Sequence, residues 1–104
     1  MQKYDLEDRT LKFAKQVISL CKNIPQTPIT RPTITQLVKS ATSIGANYRE
    51  ANGASSRKDF RNKIYIAKKE TRETEYWLDI LDGALTLIEE INLGKLRQEC
   101  HEHY

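Results

Sequence analysis

Between Phe60 and Leu81 the chain places Phe60, Ile64, Ala67, Thr71, Thr74, Leu78 and Leu81 at spacings that alternate between four and three. That spacing is the seam of an amphipathic helix. Ser56-Arg57-Lys58-Asp59 stands at its start with the spacing of a capping box, although the acid is Asp where Glu or Gln is usual. A helix from there to Leu81 is about 25 residues, or roughly 38 Å at 1.5 Å per residue. Few globular helices are so long, and the elements that cover its seam must be long helices lying alongside it. A helical bundle is the architecture this stretch permits.

The rest of the chain supplies such helices. Leu6, Thr10, Phe13, Val17, Leu20 and Ile24 form one apolar row and Leu11, Ala14, Ile18 and Cys21 a second, a stripe wide enough for a bundle interior. Asp5, Glu7 and Asp8 suit the positive end of this first helix and Lys22 the negative end. Asn23, Pro25 and Pro28 stop it, and Ile24 to Pro32 reads as a stiff connector, with Pro32 able to open the next helix. Ile34, Leu37, Ala41, Ile44, Tyr48 and Ala51 then mark a second helix that ends near Asn52-Gly53. Its small residues Ala41, Gly45 and Ala46 predict a close helix contact. After Leu81, Gly83 is expected to break or bend the third helix, and a fourth, running from about Ile91 to Tyr104, spans only about 20 Å. The sequence therefore predicts an all-α fold, an antiparallel up-down four-helix bundle with long helices 1 to 3 and a short helix 4. The short fourth helix leaves the bundle open along one edge or covered there by something else.

Composition sets the class. A chain of 104 residues makes a single domain over 1–104, with room for one core and no separate catalytic subdomain. No apolar run approaches the roughly 20 residues of a membrane span. The N-terminus Met1-Gln2-Lys3-Tyr4-Asp5 also lacks the apolar core of a signal peptide, so no membrane association is expected and the cytoplasm is the expected compartment. Cys21 and Cys100 have no metal-ligand spacing between them and should both be thiols there.

Glu99, Cys100, His101, Glu102 and His103 include pairs at i, i+3 and i, i+4, but two or three ligand types at a chain end with no second cluster read as a solvated terminus. His101 and His103 are the only histidines, which argues against Ser/His/Asp or Cys/His catalysis. Glu70 and Glu73 lack the Glu-x-x-His spacing of dimetal carboxylate bundles, so they and Thr71 and Thr74 read as interhelical hydrogen-bonding groups. No cofactor, metal or enzymatic activity is expected. Tyr48, Tyr65, Tyr76 and Trp77 read as core or subunit-contact residues rather than stacking platforms.

The net charge of +3 is modest, but it is unevenly spread. Arg57, Lys58, Arg61, Lys63, Lys68 and Lys69 face a single acid, Asp59, whereas Glu70 to Asp82 holds five acids and Arg72 alone. Arg61, Tyr65, Lys68 and Arg72 share one flank of the third helix, with Arg57 near its start and Arg49 on the second helix. Such a face can neutralise phosphates, and repetition of it in a ring would strengthen the field. Arg49, Arg57, Arg61, Lys68 and Arg72 are accordingly the candidate nucleic-acid-binding residues, with RNA or DNA the expected partner. A protein-protein adaptor, with the cations serving solubility or subunit pairing, is the alternative.

Ser43-Ile44-Gly45-Ala46-Asn47-Tyr48-Arg49-Glu50-Ala51, then Ala54, Ser56, Phe60, Lys63 and Lys69-Glu70, and Glu73-Thr74-Glu75-Tyr76-Trp77-Leu78 resemble the signature of a bacterial family. Asp5-Leu6-Glu7-Asp8-Arg9-Thr10 fits it too. The family is the four-helix bundle family named after proteins encoded in intervening sequences of 23S ribosomal RNA genes. The resemblance implies an up-down four-helix bundle that associates as a homopentamer. It is similar to the accessory variability protein of diversity-generating retroelements, a pentameric barrel whose basic surface binds nucleic acid and the reverse transcriptase. By that resemblance the five cations named above belong to such a surface, and no catalytic residue is carried over. Family members usually continue helix 4 by two or three apolar turns, which implies a shortened fourth helix here.

Overall fold

In the computed structural model the chain is all-α, with the backbone described for residues 3–103 and side-chain surroundings for residues 5–87. Three helices follow one another: α1 (Lys3–Lys22), α2 (Thr30–Asn52) and α3 (Arg57–His103), and no strand occurs among the described residues. Helix α2 lies in the middle and packs against both others, while α1 and α3 do not approach within 8 Å between Cα atoms among the described residues. The particle measures 70 × 20 × 19 Å, elongated because α3 has 47 residues against 20 for α1 and 23 for α2. No helix among the described residues is long and apolar enough to cross a membrane.

The apolar rows meet as their spacing requires. Val17, Cys21 and Ile24 join Ile34, Leu37, Ala41 and Leu81 in one cluster, against which Phe13, Val38, Trp77, Leu78 and Leu85 pack. Along α2 every residue of the expected row is buried except Tyr48, which is half-buried. Only the middle of the wide α1 stripe is covered, and Leu11 and Ile18 on one edge and Leu20 on the other stay exposed. The α3 seam is buried at Ala67, Thr74 and Leu81, but Phe60 is exposed, because it stands in the first turn, where the bundle ends.

Local chemistry fixes the joints. Thr27 Oγ1 accepts from the backbone N–H groups of Ile29 and Thr30, so this hydroxyl caps α2 where Ile29 has no capping side chain. Thr30 Oγ1 accepts from the Thr27 N–H and donates to the Pro25 carbonyl at 2.7 Å, which satisfies a fully buried hydroxyl. Pro32 falls in the first turn of α2, where a missing N–H removes no helical bond. At the next joint Ser56 Oγ accepts from the Asp59 N–H at 3.1 Å, the serine half of a capping box.

Gly45 explains the closest helix contact. A Cβ there would sit 2.9 Å from Thr10 Oγ1 and 3.3 Å from Thr10 Cβ, so only glycine lets α1 come this near. Ala41 is likewise fully buried, whereas Ala46 is exposed in the groove beside the α1–α2 contact.

Two expectations are corrected. Gly83 does not interrupt α3, and the backbone over residues 91–103 continues it, so a separate fourth helix is not shown. One internal glycine disfavours a helix by only about 1 kcal/mol relative to alanine, too little to stop one that has strong helix formers on both sides. Nothing lies within 4 Å of where a Gly83 Cβ would be, so close packing does not explain this glycine. Of the two places expected for Tyr65 and Tyr76, core or subunit contact, the core is excluded, since they are 70% and 57% exposed. Trp77 does pack on the core and meets Tyr76 edge to face at 5.1 Å between ring centres.

Candidate nucleic-acid interface

Helix α3 carries its cations on a side that neither α1 nor α2 covers. Arg57, Arg61, Lys68 and Arg72 are all exposed. At 100° per residue they fall within about 60° of arc, centred about 130° around the helix from the buried Ala67, Thr74 and Leu81. Tyr65 extends the same band, Lys58 and Lys69 flank it, and all three are exposed. From Arg57 to Arg72 the band is roughly 22 Å long. The acids in this span, Asp59 and Glu70, are half-buried and stand on the other side of the helix. The result is a cationic ridge with an exposed tyrosine in it.

Arg49 is placed differently. It sits on α2, and its Nε pairs with Glu7 Oε1 of α1 at 3.4 Å, so the structure groups it with the α1–α2 contact and not with the α3 ridge. The acidic start of α1 thereby meets Arg49. Lys63, also on α3, bonds Glu50 at 3.0 Å, and that partner raises its pKa above the usual lysine value. Both pairs lie beside the turn between α2 and α3 or the facing end of α1. They hold charge in place without adding to the ridge.

Polar groups near the core are satisfied internally. Thr71 Oγ1 donates to the Ala67 carbonyl at 2.9 Å. Thr74 Oγ1 lies 2.8 Å from the Glu70 carbonyl and 3.0 Å from Ser40 Oγ, whose own hydroxyl reaches the Leu37 carbonyl at 3.2 Å. Two hydroxyl protons thus serve three contacts and tie α2 to α3. Sequence reasoning anticipated the threonines and missed Ser40, whose place in the interval between Leu37 and Ala41 is the signal that it faces inward. Among the described residues neither Glu70 nor Glu73 forms an ion pair.

Chemistry of other kinds finds little support in the described residues. No group of three or more His, Cys, Asp and Glu side chains could hold a metal among them. The side chains from Glu99 to His103 lie outside the described residues, as does Cys100. Cys21 is a free buried thiol whose pKa burial pushes up, the opposite of what a nucleophilic cysteine needs.

Two open grooves flank α2. One, of about 540 Å³, runs between α1 and α2 past Leu11, Ala14, Ile18, Gly45 and Ala46. The other, of about 460 Å³, lies between α1 and α3 with α2 as its floor, and Leu6, Phe13, Ile44, Tyr48, Thr71 and Leu78 line it.

The fold and the ridge together define an all-α protein with an exposed cationic face on its longest helix. The sequence model of the 23S rRNA-intervening sequence protein family matches residues 2–103, and the chain belongs to that family. It is similar to a crystal structure of a protein of unknown function from the S23 ribosomal protein family of Bacteroides thetaiotaomicron VPI-5482. Identity is 42% over 78% of this chain and 72% of that one, with a TM-score of 0.67. No curated protein sequence matches the chain.

Proposed function

We propose that the protein is a non-enzymatic binding module that holds RNA or DNA by its phosphate backbone along the outer face of α3. The carrying observation is the alignment of exposed Arg57, Arg61, Lys68 and Arg72 on a side free of acids over that span. Tyr65, 70% exposed in the same band, offers a ring on which an unpaired base can stack. Arg49, already paired with Glu7, has a secondary role in this reading. Similarity to the accessory variability protein, with its basic barrel surface, supports the same assignment.

The working form in this reading is an up-down four-helix bundle in the cytoplasm. Glu7 meets Arg49 and Thr10 meets Gly45, while Lys63 meets Glu50 and Thr74 meets Ser40, so α2 runs counter to both neighbours. The groove between α1 and α3 is then the fourth helical position, and residues after Gly83 are the stretch to fill it. A homo-oligomer fits the exposed Leu11, Ile18 and Leu20 of α1.

The adaptor reading has one observation in its favour, the apolar groove between α1 and α2. Binding of labelled structured RNA and duplex DNA, compared between the parent and the combined variant Arg61→Glu, Lys68→Glu and Arg72→Glu, separates the two. Loss of binding in a folded variant supports the phosphate face; absence of binding by the parent at low salt moves the assignment to a protein partner.

A further inference from the structure

Aromatic rings stand among the cations on the outer face of α3. Lys58, Tyr65, Lys69, Arg72 and Tyr76 are all exposed and fall within about 60° of arc, on the side of the helix opposite the buried Ala67, Thr74 and Leu81. Arg61 and Lys68 run along one edge of this strip. Ring and cation alternate along it, so that Tyr65 stands four residues from both Arg61 and Lys69, and Tyr76 four from Arg72. Tyr65 is 70% and Tyr76 57% exposed, and they lie about 17 Å apart along the axis. Trp77, packed on the core, meets Tyr76 with 79° between the ring planes and restrains it.

Contacts to phosphates need cations alone, and rings this exposed add little to the core. A duplex offers the strip its phosphates but keeps the faces of its bases inside its own stack, whereas an unpaired strand offers both. We propose that α3 takes a single strand, RNA or DNA, with the cations following its backbone while Tyr65 and Tyr76 each stack on a base. This rests on the reading of the outer face as the phosphate-binding surface, and it names the form of nucleic acid that surface prefers. At about 3.4 Å per nucleotide in a stacked strand the two rings are about five nucleotides apart, and fewer in an extended one. Glu73, Glu75, Asp79 and Asp82, all exposed, surround the Tyr76 end, where their charge repels phosphate and closes the strip. The footprint therefore runs from Lys58 to Tyr76, about 27 Å.

Fluorescence anisotropy on the full chain tests it, with labelled oligo-U and oligo-dT of about 12 nucleotides, long enough to reach both rings, and a duplex of the same length, all at one low salt concentration. Each single strand should bind at least about tenfold more tightly than the duplex. Tyr65→Ala and Tyr76→Ala should each weaken single-strand binding by about 5- to 100-fold and leave duplex binding as it was. Tyr65→Phe and Tyr76→Phe should keep the parent affinity, because stacking needs the ring and not the hydroxyl. Comparing oligo-U with oligo-dT distinguishes RNA from DNA, and dependence on the rings with either supports the proposal. If Tyr76→Ala disturbs the fold through Trp77, Tyr65→Ala decides alone. Duplex and single strands bound alike, or single-strand binding indifferent to both rings, would overturn the stacking and leave the phosphate face standing. No binding of any probe would overturn the phosphate face, and the proposal with it. A smaller assembly by light scattering in Tyr65→Ala, with single-strand affinity unchanged, would make the rings subunit contacts and overturn the proposal as well.

Discussion

The inner and outer faces of α3 differ in what they are made of and in what depends on them. The inner face is built from small and apolar groups, Ala67, Thr74 and Leu81, each almost fully buried against α2 and the end of α1. The outer face holds Arg57, Arg61, Tyr65, Lys68 and Arg72, which touch no neighbouring helix tightly enough to be covered. One helix thus separates stability from recognition by the side on which a residue stands. Changes on the inner side should alter folding and leave the affinity of the folded fraction as it was. Changes on the outer side should do the reverse.

Leu37→Ala should have the largest effect. Its side chain is fully buried between the helices. The variant should lose about 2–5 kcal/mol in urea unfolding, with unchanged nucleic-acid affinity once folded; a comparable loss of affinity would blur the division. Gly45→Ala comes next, because the added methyl meets Thr10 Oγ1 at 2.9 Å. Overpacking of this kind should remove about 1–3 kcal/mol, whereas a neutral result would show that α1 moves aside freely. Thr74→Val deletes the Oγ1 that lies 3.0 Å from Ser40. Since Ser40 keeps the Leu37 carbonyl as acceptor, the loss should be only about 0.5–1.5 kcal/mol by the same unfolding measurement. Arg49→Ala should have the smallest effect on stability. Its pair with Glu7 is 67% exposed on the arginine side, so stability should fall by at most about 1 kcal/mol. Binding should change far less than for Arg61→Ala. Equal losses from these two variants would extend the recognition face across α2.

What could be read from the residues follows the same division. Regular spacing revealed α1, the α2 row from Ile34 to Ala51 and the α3 seam, because burial on one side of a helix is a repeating constraint. The cations could be placed on one flank for the same reason. Gly83 misled because glycine counts as punctuation in a short turn but is only a weak perturbation inside a long helix. Features that depend on tertiary register were hidden: the Glu7–Arg49 pair, the Ser40 hydroxyl beneath Thr74, and the exposure of Phe60 at the bundle end. The Thr27 and Thr30 hydroxyls could not be anticipated either, since their pairing depends on the path of the connector. Residue type alone left Tyr65 and Tyr76 as core or subunit-contact residues, and their exposure excludes the core.

The most direct measurement is the salt dependence of binding to a labelled duplex for the parent and for the combined Arg61→Glu, Lys68→Glu and Arg72→Glu variant. Four cations engaging phosphates predict a slope of log affinity against log salt of about −3.6 per engaged chain, with binding abolished in a variant that unfolds like the parent. A flat salt dependence, or a folded variant that binds as well as the parent, would contradict the assignment of the outer face of α3 as the nucleic-acid interface.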